Sequence, residues 1–227
     1  MKMKKLNVIL ALISVAVFAL LSLSPLKAYA DTVSMTFEST GGQTTGNDYV
    51  YPYNFSIDGS TNYTPLMCLS FTQDITQGES WKATIAQVLG NTQYEEAAYI
   101  FSLASATGAT ATTIAEAQWA NWELFDSGTS GAAGSIPSSV SQTDVTTMLD
   151  NAATYVAKNP DSSLYSEYVV YLPVANSQPS GDVTPQNFIG DSDFSGGSPT
   201  PEPGSLILLG TGMFGLAAFI YRRRRIA

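Results

Sequence analysis

The chain has 227 residues, a formal net charge of −9 and no histidine, which excludes Ser-His-Asp and Cys-His catalytic pairs and histidine-ligated zinc. The segment 31–203 holds all 19 acidic residues but only Lys82 and Lys158 as basic ones. Such an acidic body repels nucleic acid and has no basic patch to neutralise phosphates, so no nucleic-acid partner is predicted.

The first thirty residues have the pattern of a secretory signal peptide. Lysines at positions 2, 4 and 5 precede an uncharged apolar run, 6–23, and Pro25 ends it. Ala28 and Ala30 are small residues at the two positions that signal peptidase reads. Cleavage by signal peptidase would start the mature chain at Asp31, and the alternative is an N-terminal anchor that is not cut.

Residues 31–175 are predicted to form one α+β domain, an antiparallel β-sandwich or barrel-like body with a three-helix insertion. Four segments with alternating or short apolar runs predict strands, at 33–37, 49–57, 66–71 and 80–89. The period then changes to that of helices, at 94–105, 112–126 and 142–158, before a last strand at 167–174. Capping boxes predict two of the helix starts, one at Thr113 with Glu116 and one at Ser141 with Asp144.

Residues 176–200 are rich in Ser, Gly, Pro and Asp, and this composition predicts a linker. Asp191 and Asp193 flank Ser192 in the linker, but no further ligand type accompanies them, so they are interpreted as solvated charges. Neither a metal site nor a cofactor site is predicted from the sequence.

Gln118 interrupts an apolar stripe on the second predicted helix. Ile114, Gln118, Trp122 and Phe125 are spaced four, four and three residues apart and therefore share one face. Burying a primary amide costs free energy unless it forms hydrogen bonds. The alternatives are a core glutamine with satisfied partners and an amide that has been consumed by a reaction.

Cys68 is the one cysteine of the chain, so no intramolecular disulfide protects it after export. A cysteine in a short buried strand is usually a small core residue. A free thiol in an oxidising compartment is nevertheless open to oxidation unless it is buried or bonded. A thioester to a glutamine side chain would be such a bond.

The segments "PLMCLSF" around Cys68, "YEEAAYIF" (94–101) and "AEAQWANWELFD" around Gln118 resemble the thioester domains of bacterial surface proteins. The resemblance covers about residues 33–175 and implies an internal thioester between Cys68 and Gln118. Trp119, Trp122 and Phe101 are the candidate walls of a dry pocket around it. Ala117 stands where that family often has Thr, and Asn121 stands where it usually has an apolar residue.

The C-terminal segment 201–227 resembles a PEP-CTERM sorting signal. Pro201, Glu202, Pro203, Gly204 and Ser205 lead into an uncharged run, 205–221, that is predicted as a transmembrane helix, and Arg222, Arg223, Arg224 and Arg225 follow. The positive-inside rule keeps these arginines in the cytoplasm and the body outside. The resemblance implies processing by an exosortase, a membrane protease, in the envelope of a Gram-negative bacterium. The alternative is a plain anchor that is never cut.

Two functions of different classes remain open, and neither is an enzyme. The first is attachment of the exported protein to an amine- or hydroxyl-bearing target, or to exopolysaccharide, through the Cys68–Gln118 thioester. The second is a non-catalytic structural or ligand-binding matrix protein of the glycan- or ice-binding type. The aromatics of "YVYPY" (49–53) are either an exposed binding patch or, more commonly for such a segment, the core of a strand. A hydrolase would need a pair of carboxylates, and no convincing pair is visible in the sequence.

Overall fold

The computed structural model describes residues 32–127, 132–177 and 185–193. The predicted signal peptide with Ala28 and Ala30 lies outside the described residues. So do the sorting motif from Pro201 to Ser205, the predicted transmembrane helix and the four terminal arginines. The described part of the chain confirms the predicted α+β class and the barrel, and places three helices between two of its strands.

The described strands, in chain order, are β1 (Thr32–Thr40), β2 (Thr44–Thr45), β3 (Asp48–Tyr49), β4 (Tyr53–Ile57), β5 (Thr64–Cys68), β6 (Ser80–Gln87), β7 (Tyr168–Pro173) and β8 (Phe188–Asp191). Six of them form a closed antiparallel barrel in the order β1-β4-β5-β8-β7-β6. The barrel closes because β1 pairs with β4 on one side and with β6 on the other. Strands β2 and β3 form a separate two-stranded hairpin.

The barrel interior is filled by aromatic side chains. The ring of Phe188 contacts those of Tyr53, Phe55 and Trp81, at centroid distances of 5.7, 4.7 and 6.4 Å. These residues share one face because side chains alternate along a strand and paired residues point to the same side. Cys68 pairs with Phe188, so its side chain lies on this inner face, at the end of β5.

The helices α1 (Thr92–Ser105), α2 (Ala111–Phe125) and α3 (Gln142–Lys158) pack against one another and occupy the connection between β6 and β7. The predicted cap of α3 is confirmed, since the Ser141 side chain accepts a hydrogen bond from the Asp144 N–H. The predicted capping box of α2 is wrong. Thr110 is the N-cap instead, and its Oγ1 accepts a hydrogen bond from the Thr113 N–H at 3.1 Å. The extended backbone of Thr110 gives that side chain the geometry of a cap.

Strand β8 lies within the segment that was predicted to be a linker, so the domain continues past residue 175. It fills the gap between β5 and β7, pairing with both of them antiparallel. The polar composition around it concealed four residues of which Phe188, Ile189 and Gly190 are buried. Glycine lets β8 approach its neighbour closely here, because a Cβ at Gly190 would overlap the Cδ2 atom of the buried Leu66 side chain. Asp191 ends this strand and is therefore not a linker residue.

Candidate functional site

Cys68 is a fully buried free thiol at the last residue of β5. Its Sγ donates a hydrogen bond to the Ser70 carbonyl oxygen at 3.2 Å and accepts one from the Ser70 N–H at 3.4 Å. Such a two-residue turn ends the strand and holds the sulfur in one position. The buried position also explains how a thiol without a disulfide partner is shielded from oxidants.

Burial raises the pKa of the Cys68 thiol to about 12. Hydrogen bonding from the Trp122 indole and the Ser70 backbone lowers the pKa by less, and the charges of Asp126 and Asp74 raise it further. The thiol therefore stays protonated at neutral pH, and since the thiolate is the nucleophile, its reactivity toward external reagents is low.

Gln118 lies on α2 with its side chain completely buried, as its position on the apolar stripe predicted. Its Nε2 donates a hydrogen bond of 2.6 Å to the carbonyl oxygen of Cys68, fifty residues earlier in the chain. This bond brings the carboxamide of α2 to the strand end that carries the thiol. The other half of the amide is unsatisfied, because Oε1 is buried without a hydrogen-bond partner.

Two further residues of α2 carry unpaired polar atoms close to Gln118 in the sequence. Asn121 is fully buried, its Nδ2 donates to the sulfur of Met67 at 2.9 Å, and its Oδ1 has no partner. The indole Nε1 of Trp122 is buried with no hydrogen bond of ordinary geometry, although its N–H is close enough to Cys68 to lower the thiol's pKa. Buried polar groups are nearly always paired, so three orphaned atoms on one helix face mark a candidate site.

Asn121 was not predicted as a site residue. It lies three residues after Gln118, and residues three apart are neighbours on a helix surface. A second amide in the same apolar stripe was therefore the available signal in the sequence.

Aromatic rings enclose this end of α2. The rings of Trp119 and Trp122 meet edge to face at 5.0 Å, and Phe71 contacts them at 5.3 and 5.2 Å. Trp119 also donates its indole N–H to Thr45 Oγ1 at 2.8 Å, which attaches the β2–β3 hairpin to the helix. The two tryptophans thus lie together, as the predicted pocket requires.

Phe101, the third predicted wall residue, makes its ring contacts with other residues than the two tryptophans. It is buried, but its ring contacts are with Tyr51 at 5.4 Å and Tyr168 at 5.2 Å, both edge to face. Phe71 occupies the place beside the tryptophans that the sequence assigned to Phe101. Phe71 follows Cys68 by three residues in an irregular segment, where no periodicity indicates which way a side chain points.

The segment that follows Cys68 is attached on both sides. The Phe71 N–H donates to a carboxylate oxygen of Asp126, just after α2, at 2.6 Å. The Leu69 N–H donates to the Asn187 carbonyl at 2.8 Å, and the Asn187 N–H donates to Ser70 Oγ at 3.2 Å. Strand β5, the end of α2 and the start of β8 therefore hold the thiol and the carboxamide in a fixed relation.

The aromatic segment that was a candidate binding patch is mostly buried. In "YVYPY", Val50 and Tyr53 are buried and Tyr51 is half-buried, so Tyr49 is the exposed aromatic of that segment.

Among residues 32–127, 132–177 and 185–193, no group of three or more cysteine or acidic side chains is arranged to hold a metal ion. No helix in the same part of the chain has the length and hydrophobicity of a membrane span.

A family model described as the PEP-CTERM protein-sorting motif matches residues 199–225. No curated protein and no solved structure matches the chain. The match confirms the predicted sorting segment and supports an exported protein that an exosortase sorts through the membrane toward the cell surface or extracellular space. It does not extend to the body, where the thioester-domain resemblance of Cys68 and Gln118 stays a prediction.

Proposed function

We propose that this exported, exosortase-sorted protein attaches itself covalently to a target through an internal thioester between Cys68 and Gln118. The observation that carries the proposal is the 2.6 Å hydrogen bond from the Gln118 amide to the Cys68 carbonyl, made by two fully buried residues. A core glutamine needs partners for both ends of its amide, whereas the Oε1 of Gln118 has none.

The bond-forming step needs no external reagent. The sulfur of Cys68 attacks Cδ of Gln118, the S–C bond forms, and the C–N bond of the carboxamide breaks. The thiol proton leaves with the amide nitrogen as ammonia, so atoms and charge balance and nothing is oxidised or reduced. Because the raised pKa keeps the resting thiol protonated, its proton has to pass to the amide nitrogen as the S–C bond forms, so that the sulfur attacks with thiolate character.

The second step transfers the acyl group to the target. An amine or hydroxyl of a surface protein, or a hydroxyl of exopolysaccharide, attacks the same carbonyl, and Cys68 leaves as a thiol. The target is then joined to Gln118 by an amide or ester bond. The aromatic enclosure of Trp119, Trp122 and Phe71 supports this reaction because excluding water slows hydrolysis of the thioester.

In this proposal the two terminal segments of the chain direct the export and sorting of the protein. Signal peptidase cuts after Ala30, and the exosortase processes the chain near Pro201, Glu202 and Pro203 while the arginines hold the tail in the inner membrane. The acidic body then faces outward, in the envelope or matrix of a Gram-negative bacterium.

The decisive measurement is the intact mass of the purified mature protein. We expect a mass lower than that of the sequence by one ammonia, and we expect Cys68→Ala and Gln118→Ala each to abolish this deficit. Gln93→Ala is the matched control, because Gln93 is an exposed glutamine of the neighbouring helix and should leave the deficit intact. A full mass, together with a thiol that titrates completely after unfolding, would contradict the thioester.

The alternative of a non-catalytic structural or ligand-binding module predicts that full mass. Tyr49 and Tyr63, about half exposed, are the candidate aromatic contacts for a glycan in that case. Retention of exopolysaccharide by the wild type, and its loss in the Tyr49→Ala, Tyr63→Ala double variant, would support this second function.

A further inference from the structure

We propose that the indole N–H of Trp122 is the hydrogen-bond donor for the carbonyl oxygen of Gln118 when the thioester forms and when it is opened. The proposal rests on the proposed function and assigns a catalytic residue to it. Trp122 then acts on the reacting group, in addition to forming a wall of the pocket.

The first argument is that an unpaired acceptor and an unpaired donor lie on the same face of α2. Gln118 Oε1 is a buried acceptor without a donor, and Trp122 Nε1 is a buried donor without an acceptor of ordinary geometry. The two residues are four apart on α2, which places them one above the other on the same face. Each unpaired buried group carries a desolvation penalty, and a hydrogen bond between the two removes both penalties.

The second argument is that other donors of the site are already used. Gln118 Nε2 is bound to the Cys68 carbonyl, and Asn121 Nδ2 is bound to the Met67 sulfur. The indole N–H of Trp119, on the neighbouring residue of the same helix as Gln118, is bound to Thr45 Oγ1. Trp81 also has an unpaired indole N–H, but it belongs to the aromatic cluster inside the barrel, against Phe55.

The third argument is position. Trp122 is 3% exposed, and its ring is held between Phe71 and Trp119, so its N–H is fixed before the reaction begins. The same N–H is close enough to Cys68 to lower the pKa of the thiol. It is therefore near one partner of the new S–C bond and one helical turn from the other.

The chemistry explains what such a donor contributes. When sulfur attacks Cδ of Gln118, the electron pair of the C=O bond moves to the oxygen, and this negative charge is absent from the ground state. A fixed donor directed at that oxygen stabilises the transition state more than the amide, and removing one donor of this kind costs about 10²–10³ in rate. The opening of the thioester by an amine passes through the same type of intermediate, so the same donor serves both steps.

The test compares Trp122→Phe with Trp81→Phe, two variants that each remove one unpaired indole N–H, the second from the aromatic cluster inside the barrel. The mature proteins are first compared by circular dichroism and thermal unfolding. The fraction with the ammonia deficit and the rate of opening by methylamine are then followed by intact mass. We expect Trp122→Phe either to lack the deficit or to open about 10²–10³-fold more slowly. Trp81→Phe should form the thioester and open no more slowly than the wild type.

A second measurement covers the case in which Trp122→Phe does not fold. The chain has three tryptophans, so a ¹⁵N-labelled wild-type sample gives three indole N–H signals. Of the three indole signals, that of Trp122 should shift most when methylamine opens the thioester. The Trp122 N–H should also exchange with solvent more slowly in the thioester form than in the opened form.

The outcomes separate the two proposals. A wild type without the mass deficit overturns both the thioester and the role of Trp122. A wild type with the deficit, but with an unmoved Trp122 signal or with Trp122→Phe as fast as Trp81→Phe, overturns the role of Trp122 alone.

Discussion

The barrel interior and the face of α2 that carries Gln118 are equally buried, but they differ in what they bury. The interior is built from aromatic rings such as Phe55 and Phe188, with Trp81 Nε1 as its unpaired polar atom among those rings. The α2 face buries unpaired polar atoms on three residues, Gln118, Asn121 and Trp122. Aromatic burial stabilises the fold, whereas unpaired buried amides destabilise it. The difference indicates that the α2 face is shaped by a requirement other than stability.

The largest effect on stability is expected when an aromatic ring is removed from the barrel interior. Phe55→Ala deletes a fully buried side chain that contacts Phe37, Trp81 and Phe188, so we expect a loss of about 3–5 kcal/mol of unfolding free energy. Urea denaturation measures it. A loss below 1 kcal/mol would show that these rings do not form the core of the domain.

A smaller loss is expected where the closing strand packs against its neighbour. In Gly190→Ala the new methyl group would overlap the Leu66 side chain, and overpacking of this kind typically costs about 1–3 kcal/mol. The same denaturation experiment measures it. If Gly190→Ala were neutral, the Leu66 side chain would accommodate the methyl group by changing its conformation, and the overlap would not limit this position.

On the α2 face, replacing a buried polar residue with an apolar one should raise the stability of the domain. Asn121→Leu replaces a buried amide that has an unpaired Oδ1 with an apolar side chain of similar shape, so we expect a gain of about 1 kcal/mol. Thermal unfolding measures this gain, and intact mass shows whether the thioester still forms. A loss of stability would mean that Asn121 is better satisfied than its contacts indicate.

The smallest effect is expected at Asp191, an exposed carboxyl at the end of β8. Partial desolvation, followed by the charges of Asp193 and Glu167, raises the pKa of Asp191, although its side chain is exposed. A carboxyl whose folded pKa is raised contributes most to stability below its unfolded value of 3.8, and the contribution is lost as the pH rises through the folded pKa.

Asp191→Asn removes this charge. The variant should therefore be more stable than the wild type at neutral pH, by no more than about 0.5 kcal/mol, and equal to it below pH 3.8. Unfolding curves measured across this pH range check the sign. A variant that is less stable at neutral pH would show that the Asp191 carboxylate makes a favourable interaction.

The predictability of the elements follows from how local their signals are. Helix α3 was predicted with its observed ends because its apolar period and its Ser141 cap are both encoded within one segment. The start of α2 was misplaced because Thr110 and Thr113 both have a side chain suited to a cap, and the backbone conformation of Thr110 decides between them. Strand β8 was missed because its four residues are too few to show a period within a Ser- and Gly-rich segment.

The sequence alone determined the route of the protein, because a signal peptide and a PEP-CTERM segment are contiguous patterns that need no folding partner to be recognised. It also showed that Cys68 and Gln118 are polar or reactive residues in apolar surroundings. Only the tertiary structure decided that these two residues meet, that Phe71 replaces Phe101 beside the tryptophans, and that Asn121 and Trp122 carry unpaired atoms there. The physical reason is the packing of α2 against the end of β5, which brings a helix face and a strand end from distant parts of the chain together, and no local pattern records that contact.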